Sequence, residues 1–171
     1  MGVVTEDRRG EGLSTSNSIE WNMTMPYLKK LSSRLGIINH KKEKDNTTKL
    51  SKDLNIKAVS IYEPAVSLSG GNQQKIVIAK WVGADSDILI FDEPTRGIDV
   101  GAKAEIYHLM EELAKQGKSI IMISSELPEL LALSDRILVY RDGIINLEFT
   151  DVSALSESDV LHYAILADGE E

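Results

Sequence analysis

The 171-residue sequence predicts an α/β fold in which parallel strands follow a mainly helical region. Three observations point to it. From Asp87 onward, short apolar runs such as Asp87–Phe91 ("DILIF") and Ser119–Ile123 ("SIIMI") alternate with helical stretches, the pattern of a parallel α/β layer. Between those runs, Ile106, Leu109, Met110, Leu113 and Ala114 share one face of a 3.6-residue period. From about Ser14 to Trp81 the texture is mostly helical, and no internal repeat is present.

Taken in order, the helical region is interrupted at "HKKEKDNTTK" (His40–Lys49), where Lys41 and Lys42 alternate with Glu43 and Asp45, the composition of a solvated loop. "SLSGGNQQK" (Ser67–Lys75) then leads into "IVIAKWV", a buried helix. "DILIF" reads as the first strand. Asp99 is placed to cap the helix that follows, and Gly117 to stop it. "RILVY" and "RDGII" form a hairpin turning on Asp142-Gly143. A last amphipathic helix is expected over Ser156–Ala167, with a frayed tail from Asp168 to Glu171.

Composition narrows the function. The 42% apolar content is enough for a core, and the length suits one ordinary domain. A net charge of −8 argues against nucleic acid as the main partner, since phosphate binding is driven by Lys and Arg. Cysteine is absent, which excludes disulfides and thiolate metal sites. No apolar run reaches the roughly 18 residues needed to span a bilayer, and the first residues lack a signal-peptide core. The expectation is a soluble, intracellular chain.

Two motifs carry chemistry. Asp92 and Glu93 end the "ILIF" strand, and ligands of open α/β sheets bind beyond the carboxyl ends of strands. Asp92 there can hold Mg²⁺, a hard cation that takes oxygen ligands, while Glu93 can polarise a water for attack on a phosphoryl group. Taken alone, the pair fits a cap of the following turn at least as well. Upstream, Ser69, Gly70 and Gly71 open the "IVIAKWV" helix, where free amides and the positive dipole end favour an anion. An ordinary serine-capped helix start is the competing reading, and the combination of the two motifs decides between them.

"LSGGNQQK" followed by "ILIFDEPTRGID" resembles the ATP-binding subunits of ABC transporters, as signature, Walker B strand and D-loop (Gly97–Asp99). "TEDRRGEGL", the "NQQK" form of the signature, "EPTRGIDVGAKAEIY" and "ISSELPE" are similar to the second nucleotide-binding half of ribose-, galactose- and xylose-type importers. The likeness covers almost the whole chain, least clearly between Lys29 and Ala65. It implies part of a P-loop NTPase core with a helical subdomain. Residues 1–13 would be a Q-loop-like segment, 14–83 the helical subdomain ending in the signature and its helix, and 84–171 the C-terminal part of the core.

In that family ATP is sandwiched between two halves arranged head to tail. The resemblance implies that Ser69, Gly70, Gly71 and Asn72 contact nucleotide held by the opposite half, and that Asp92 supports Mg²⁺. Glu93 would orient the water, Asp99 would couple the two sites, and Glu6 would stand where the family has a Q-loop Gln. Implied partners are the missing N-terminal ATPase half with its phosphate loop, transmembrane permease subunits and, indirectly, a sugar-binding protein outside the cell. The implied location is the cytoplasmic face of the membrane.

Two departures temper this. A phosphate loop needs Gly, four residues, then Gly-Lys-Ser/Thr, and the sole Gly-Lys-Ser, Gly117–Ser119, has Glu112 where the first glycine belongs. The isolated chain is therefore expected to bind ATP weakly or not at all. After "IIMIS", Ser125 and Glu126 stand where most members have a His, so the local site is expected to hydrolyse ATP poorly; Ser125 also fits a cap of the short helix holding Pro128. The alternative reading keeps the fold but makes the chain a non-catalytic regulatory or remnant module. A DNA-repair or translation ATPase fits poorly, with no basic patch.

Weaker candidates remain. His40, His108 and His162 are too dispersed for a metal site. Trp21, Met23, Met25 and Tyr27 read as core packing ahead of a permease-docking surface. The strands Ile88–Phe91 and Ser119–Ile123 read as buried on both faces with missing neighbours, so strand-edge pairing and self-association are expected.

Overall fold

The computed structural model describes residues 1–165. Its elements are β1 (Gly2–Val4), α1 (Ile19–Thr24), α2 (Leu28–Leu31), α3 (His40–Asp53), α4 (Gly70–Gly83), β2 (Ile88–Asp92), α5 (Val100–Lys115), β3 (Ser119–Ile123), α6 (Leu127–Leu133), β4 (Ile137–Arg141), β5 (Ile144–Phe149) and α7 (Glu157–Ile165). They fall into two compact units divided at Ile123–Ser124. Residues 14–83 and the first sheet share one unit and one core.

In the first unit β1, β2 and β3 form a parallel sheet in that order. β2 is its centre, with Leu89 opposite Gly2 and Ile120, and Phe91 opposite Val4 and Met122. Three residues are too few to show a period of two, so β1 leaves no pattern in the sequence. "DILIF" is thus the second strand, not the first, and both its edges are paired. Only one face of the sheet is packed. Val4, Leu89 and Phe91 are fully buried, while Val3, Ile88, Ile121 and Ile123 are exposed, so the expectation of strands buried on both faces is corrected.

α4 lies at the heart of this unit. It packs against α1, α3, α5 and β1, and Gln73 through Ala79 are all buried, so it shows no amphipathic stripe. α5 turns Ile106, Met110 and Leu113 inward, as its period predicts, while Ala114 is exposed. Trp81 Nε1 donates to Val3 O at 2.6 Å, pinning β1 to the α4 side.

The stretch expected as a solvated loop is the helix α3. Asn39 starts it, its side chain accepting from the Lys42 amide at 3.0 Å. The buried positions, Glu43, Thr47 and Leu54, follow a helical spacing, but two of them are polar, which hides the stripe from a hydrophobic reading. Glu43 earns burial by accepting a hydrogen bond from Thr24 Oγ1 at 2.8 Å. Of the four residues read as core packing, Met23 and Tyr27 are buried, whereas Trp21 and Met25 are 41% and 46% exposed.

In the second unit, β4 and β5 form an antiparallel hairpin turning on Asp142 and Gly143, both at positive φ as an Asp-Gly turn requires. α7 ends the described chain at Ile165. The last two residues predicted for this helix, and the tail Asp168–Glu171, lie outside the described residues.

Candidate functional site

The first feature is the start of α4. Ser69 is its N-cap by backbone angles, φ −61° and ψ 158°, yet its side chain makes no capping bond. The hydroxyl instead accepts from Asn72 Nδ2 at 2.9 Å, and Asn72 Oδ1 accepts from the Lys57 amide at 2.7 Å. The serine thus leaves the first-turn amides to other acceptors. Gly71 is buried, and a Cβ there would stand 2.6 Å from that of Ala102, so α4 and α5 cross where only glycine fits. That packing demand is independent of any ligand.

The second feature is the end of β2. Asp92 closes the strand and Glu93 follows it, both half-buried. Glu93 sits at φ +47°, a left-handed conformation that costs a non-glycine residue about 1 kcal/mol or more. It is held by its amide, which donates to Ile123 O at 2.9 Å, and by its carbonyl, which accepts from the Arg96 amide at 3.2 Å. The chain then turns through Gly97 at φ +66° and enters α5 at Asp99, whose Oδ1 accepts from the Ala102 amide at 3.0 Å. Asp99 is therefore the helix cap the sequence predicts, and it is exposed.

A third feature lies in the stretch read as Q-loop-like, whose contacts the sequence does not show. The turn Glu6–Gly12 is stitched to both of the others. Arg8 donates from Nη1 to Arg96 O at 2.9 Å and from Nη2 to Gly97 O at 3.2 Å. Glu6, exposed, pairs with the Arg96 guanidinium. Arg9 Nε donates to Gln73 Oε1 at 3.3 Å, and the fully buried Gln73 donates onward to Ala65 O and Leu68 O at 3.2 and 3.0 Å. Asp7 orders the turn by accepting from the Arg9 and Gly10 amides. Burial, with the neighbouring Arg9 charge, lowers the Arg8 guanidinium from its usual pKa. Glu6, Arg8, the start of α4 and the Gly97 turn are thus gathered at one place.

Ser125 belongs to the second unit and is exposed. It does not cap α6: the N-cap is Glu126, without a side-chain capping bond, and Ser124 Oγ accepts from the Glu126 amide at 3.0 Å and donates to the buried Glu129 at 3.1 Å. Ser124 binds the turn ahead of α6, and residue type alone does not separate it from Ser125 in a Ser-Ser pair. Gly117–Ser119 follows α5 and opens β3, the reverse of a phosphate-loop context, and Lys118 lies beside Asp85 and Asp87 at 3.4 and 3.5 Å. Among the described residues, no helix is long and apolar enough to cross a membrane.

Comparison with known proteins supplies the family. The profile of the ABC transporter family matches residues 2–96. The ribose import ATP-binding protein RbsA of Hahella chejuensis is 48% identical over 164 residues, 96% of this chain and 32% of the relative. That of Bacillus subtilis is 51% identical over 92% of this chain and 32% of its own. A putative ribose/galactose/methyl galactoside import ATP-binding protein of Rhizobium meliloti is 45% identical over the whole chain and 34% of its own length. The chain therefore spans about a third of the curated relatives it matches. Among solved structures, a dimeric post-hydrolysis state of an ATP-binding cassette bound to ADP and Pi superposes with a TM-score of 0.73, at 20% identity, over 90% of this chain and 63% of that one. A helix opening on Ser-Gly-Gly, a central strand ending in Asp-Glu and a matched profile over more than half the residues place this chain in the ABC transporter ATP-binding family.

Proposed function

We propose that this chain contributes a signature, a Walker B strand and a D-loop to shared ATP sites of a sugar-import ATPase, coupling hydrolysis to carbohydrate uptake. The supporting observation is the start of α4, where the Ser69 hydroxyl engages Asn72 and leaves the first-turn amides to an outside anion. Ser69, Gly70 and Asn72 would meet the γ-phosphate of ATP held by a complementary half. Asp92 would hold Mg²⁺. Its donor set suits that ion, which takes one or two carboxylates and fills its shell with phosphate and water; among the described residues no larger acidic or histidine cluster competes. Bound there, Mg²⁺ supplies charge neutralisation at the phosphates. Glu93, fixed by its two main-chain bonds, would orient the attacking water, and Ser125 would stand in for the family's His without offering an imidazole. Asp99 would link the two sites and Glu6 the nucleotide to the permease side. Residues 14–83 would serve as the helical subdomain. Permease subunits at the cytoplasmic membrane face and an extracytoplasmic sugar-binding protein complete the reading.

The test is calorimetry with Mg-ATP, first on the chain alone and then with a polypeptide supplying the phosphate loop. The expected result is no heat of binding at micromolar concentration alone, and binding on assembly that Ser69→Arg abolishes. Tight binding by the isolated chain, or assembly indifferent to Ser69→Arg, overturns the reading.

A further inference from the structure

We propose that Arg8 is a positioning residue that fixes the spacing between the start of α4 and the Gly97–Asp99 turn. The proposal rests on the functional reading only for its catalytic consequence, because the clamp itself is a property of the folded chain. Arg8 carries a planar guanidinium, and its two terminal nitrogens reach two successive carbonyls, Arg96 O and Gly97 O. That bidentate grip is something a fork can do and a point ammonium cannot. The same Nη2 would lie 2.9 Å from a Cβ at Gly70, so the guanidinium also rests on the first residue of α4. Gly70 in turn would bring a Cβ to 3.5 Å from Gly97 O. Three chain segments remote in sequence are therefore spaced by one side chain. Its Nε is buried without a hydrogen-bond partner, a cost accepted for the grip of the other two nitrogens.

A second tie runs the opposite way across the same gap. The Arg96 side chain reaches back to Glu6, while Arg8 binds the Arg96 carbonyl. The two turns are therefore cross-linked reciprocally, and Arg9–Gln73 adds a third tie into α4. Exposed ion pairs alone contribute little, since Glu6 and Arg96 both face solvent. The grip on the carbonyls is different, because a shift of Arg8 must carry Gly97 with it and hence the entry to Asp99. The turn at Thr95–Ile98, closed by the Ile98 amide on Thr95 O at 3.2 Å, is the element whose position Arg8 sets.

Amide hydrogen exchange on the folded chain tests this, with Arg8→Lys as the conservative variant and Glu6→Gln as a second. In Arg8→Lys the Arg96 and Ile98 amides are expected to exchange about tenfold faster, equivalent to about 1.4 kcal/mol, while Ile76–Ile78 in α4 stay unchanged. Glu6→Gln is expected to raise exchange at Arg96 less than Arg8→Lys does. Unchanged exchange at Arg96 and Ile98, or an equal rise throughout α4, overturns the proposal, the latter by showing a merely structural role. In the ATPase assembled with its phosphate-loop half, Arg8→Lys is expected to lower kcat about tenfold at constant KM for ATP, corresponding to about 1.4 kcal/mol. A changed KM at constant kcat would count against positioning. An inactive wild-type assembly defeats the ATPase reading, while the exchange result still decides the role of Arg8.

Discussion

Lys75 and Glu105 form the ion pair whose two halves should behave least alike. The Lys75 side chain is 4% exposed, and Nζ donates to Glu105 Oε2 at 2.6 Å and to Asn55 O at 2.9 Å. Glu105 is 40% exposed and also meets Lys57 Nζ at 3.4 Å. Removing the buried member, as in Lys75→Met, leaves a carboxylate in water and a carbonyl on an exposed residue, both readily hydrated. Methionine also fills the channel its aliphatic stem occupied, so the cost is about 1 kcal/mol. Removing the exposed member, as in Glu105→Gln, leaves an ammonium buried beside a neutral amide and one carbonyl. Stranding a buried charge costs about 3 kcal/mol, reduced to about 2 here because Asn55 O and the glutamine oxygen still accept from it. The Lys57 contact is exposed and adds less than about 0.5 kcal/mol. The double variant should then resemble Lys75→Met alone, since no stranded charge remains. Urea titration followed by tryptophan fluorescence measures this, because Trp21 and Trp81 both report the first unit. Refutation would come from Lys75→Met costing as much as Glu105→Gln, or from additive effects in the double variant.

Other outcomes follow from the same packing. Gly71→Ala should destabilise by about 1–2 kcal/mol in urea, because its Cβ would overlap that of Ala102 and the gain in helix propensity offsets only part of the strain. Phe91→Ala, emptying a fully buried ring site in the central strand, should cost about 3–5 kcal/mol, so loss of the cooperative fluorescence transition is the expected extreme. The hydrogen bond and charge of Lys75 hold the Glu105 pKa below its usual 4.5, with Lys57 contributing less. A depressed carboxylate stabilises the fold fully above pH 4.5 and less as the pH falls through its folded value. Wild type should therefore lose stability on acidification below pH 4.5 more steeply than Glu105→Gln, as acid-titrated melting curves would show. In an assembled ATPase, Glu93→Gln is expected to trap nucleotide only slightly, and a large fall in transport would contradict the expected poor hydrolysis at its site.

The fold was legible where burial and pattern coincide. β2, β3, α5 and the Asp-Gly hairpin all stand where apolar runs, a 3.6 period and turn residues place them. α3 was not legible, because the face it buries includes Glu43 and Thr47, paired and packed by tertiary structure that no local window contains. β1 was missed for the opposite reason. Val4 is as buried as any residue in the chain, but a three-residue strand is defined by its neighbour's ladder and not by its own sequence. With β1 beside it, β2 has no open edge, whereas β3 lies at the rim of the sheet and keeps one, so the expected open edge is corrected for Ile88–Phe91 alone.

The site divides along the same line. Motif residues were found because their types serve chemistry directly: a carboxylate pair at a strand end, glycines at a helix start, an Asp cap. What holds them was invisible, since Arg8 acts through the main-chain carbonyls of residues 96 and 97, and any residue type presents the same carbonyl. A sequence advertises side chains and conceals the backbone they grip. What the sequence does show there is the Q-loop-like "TEDRRGEGL" and the density of charge in Glu6–Arg9, matched in space by Arg96 and Gln73. Charged residues in a connecting turn are therefore best tested for what they bind in the main chain of neighbouring turns before they are assigned to solvent or to a ligand.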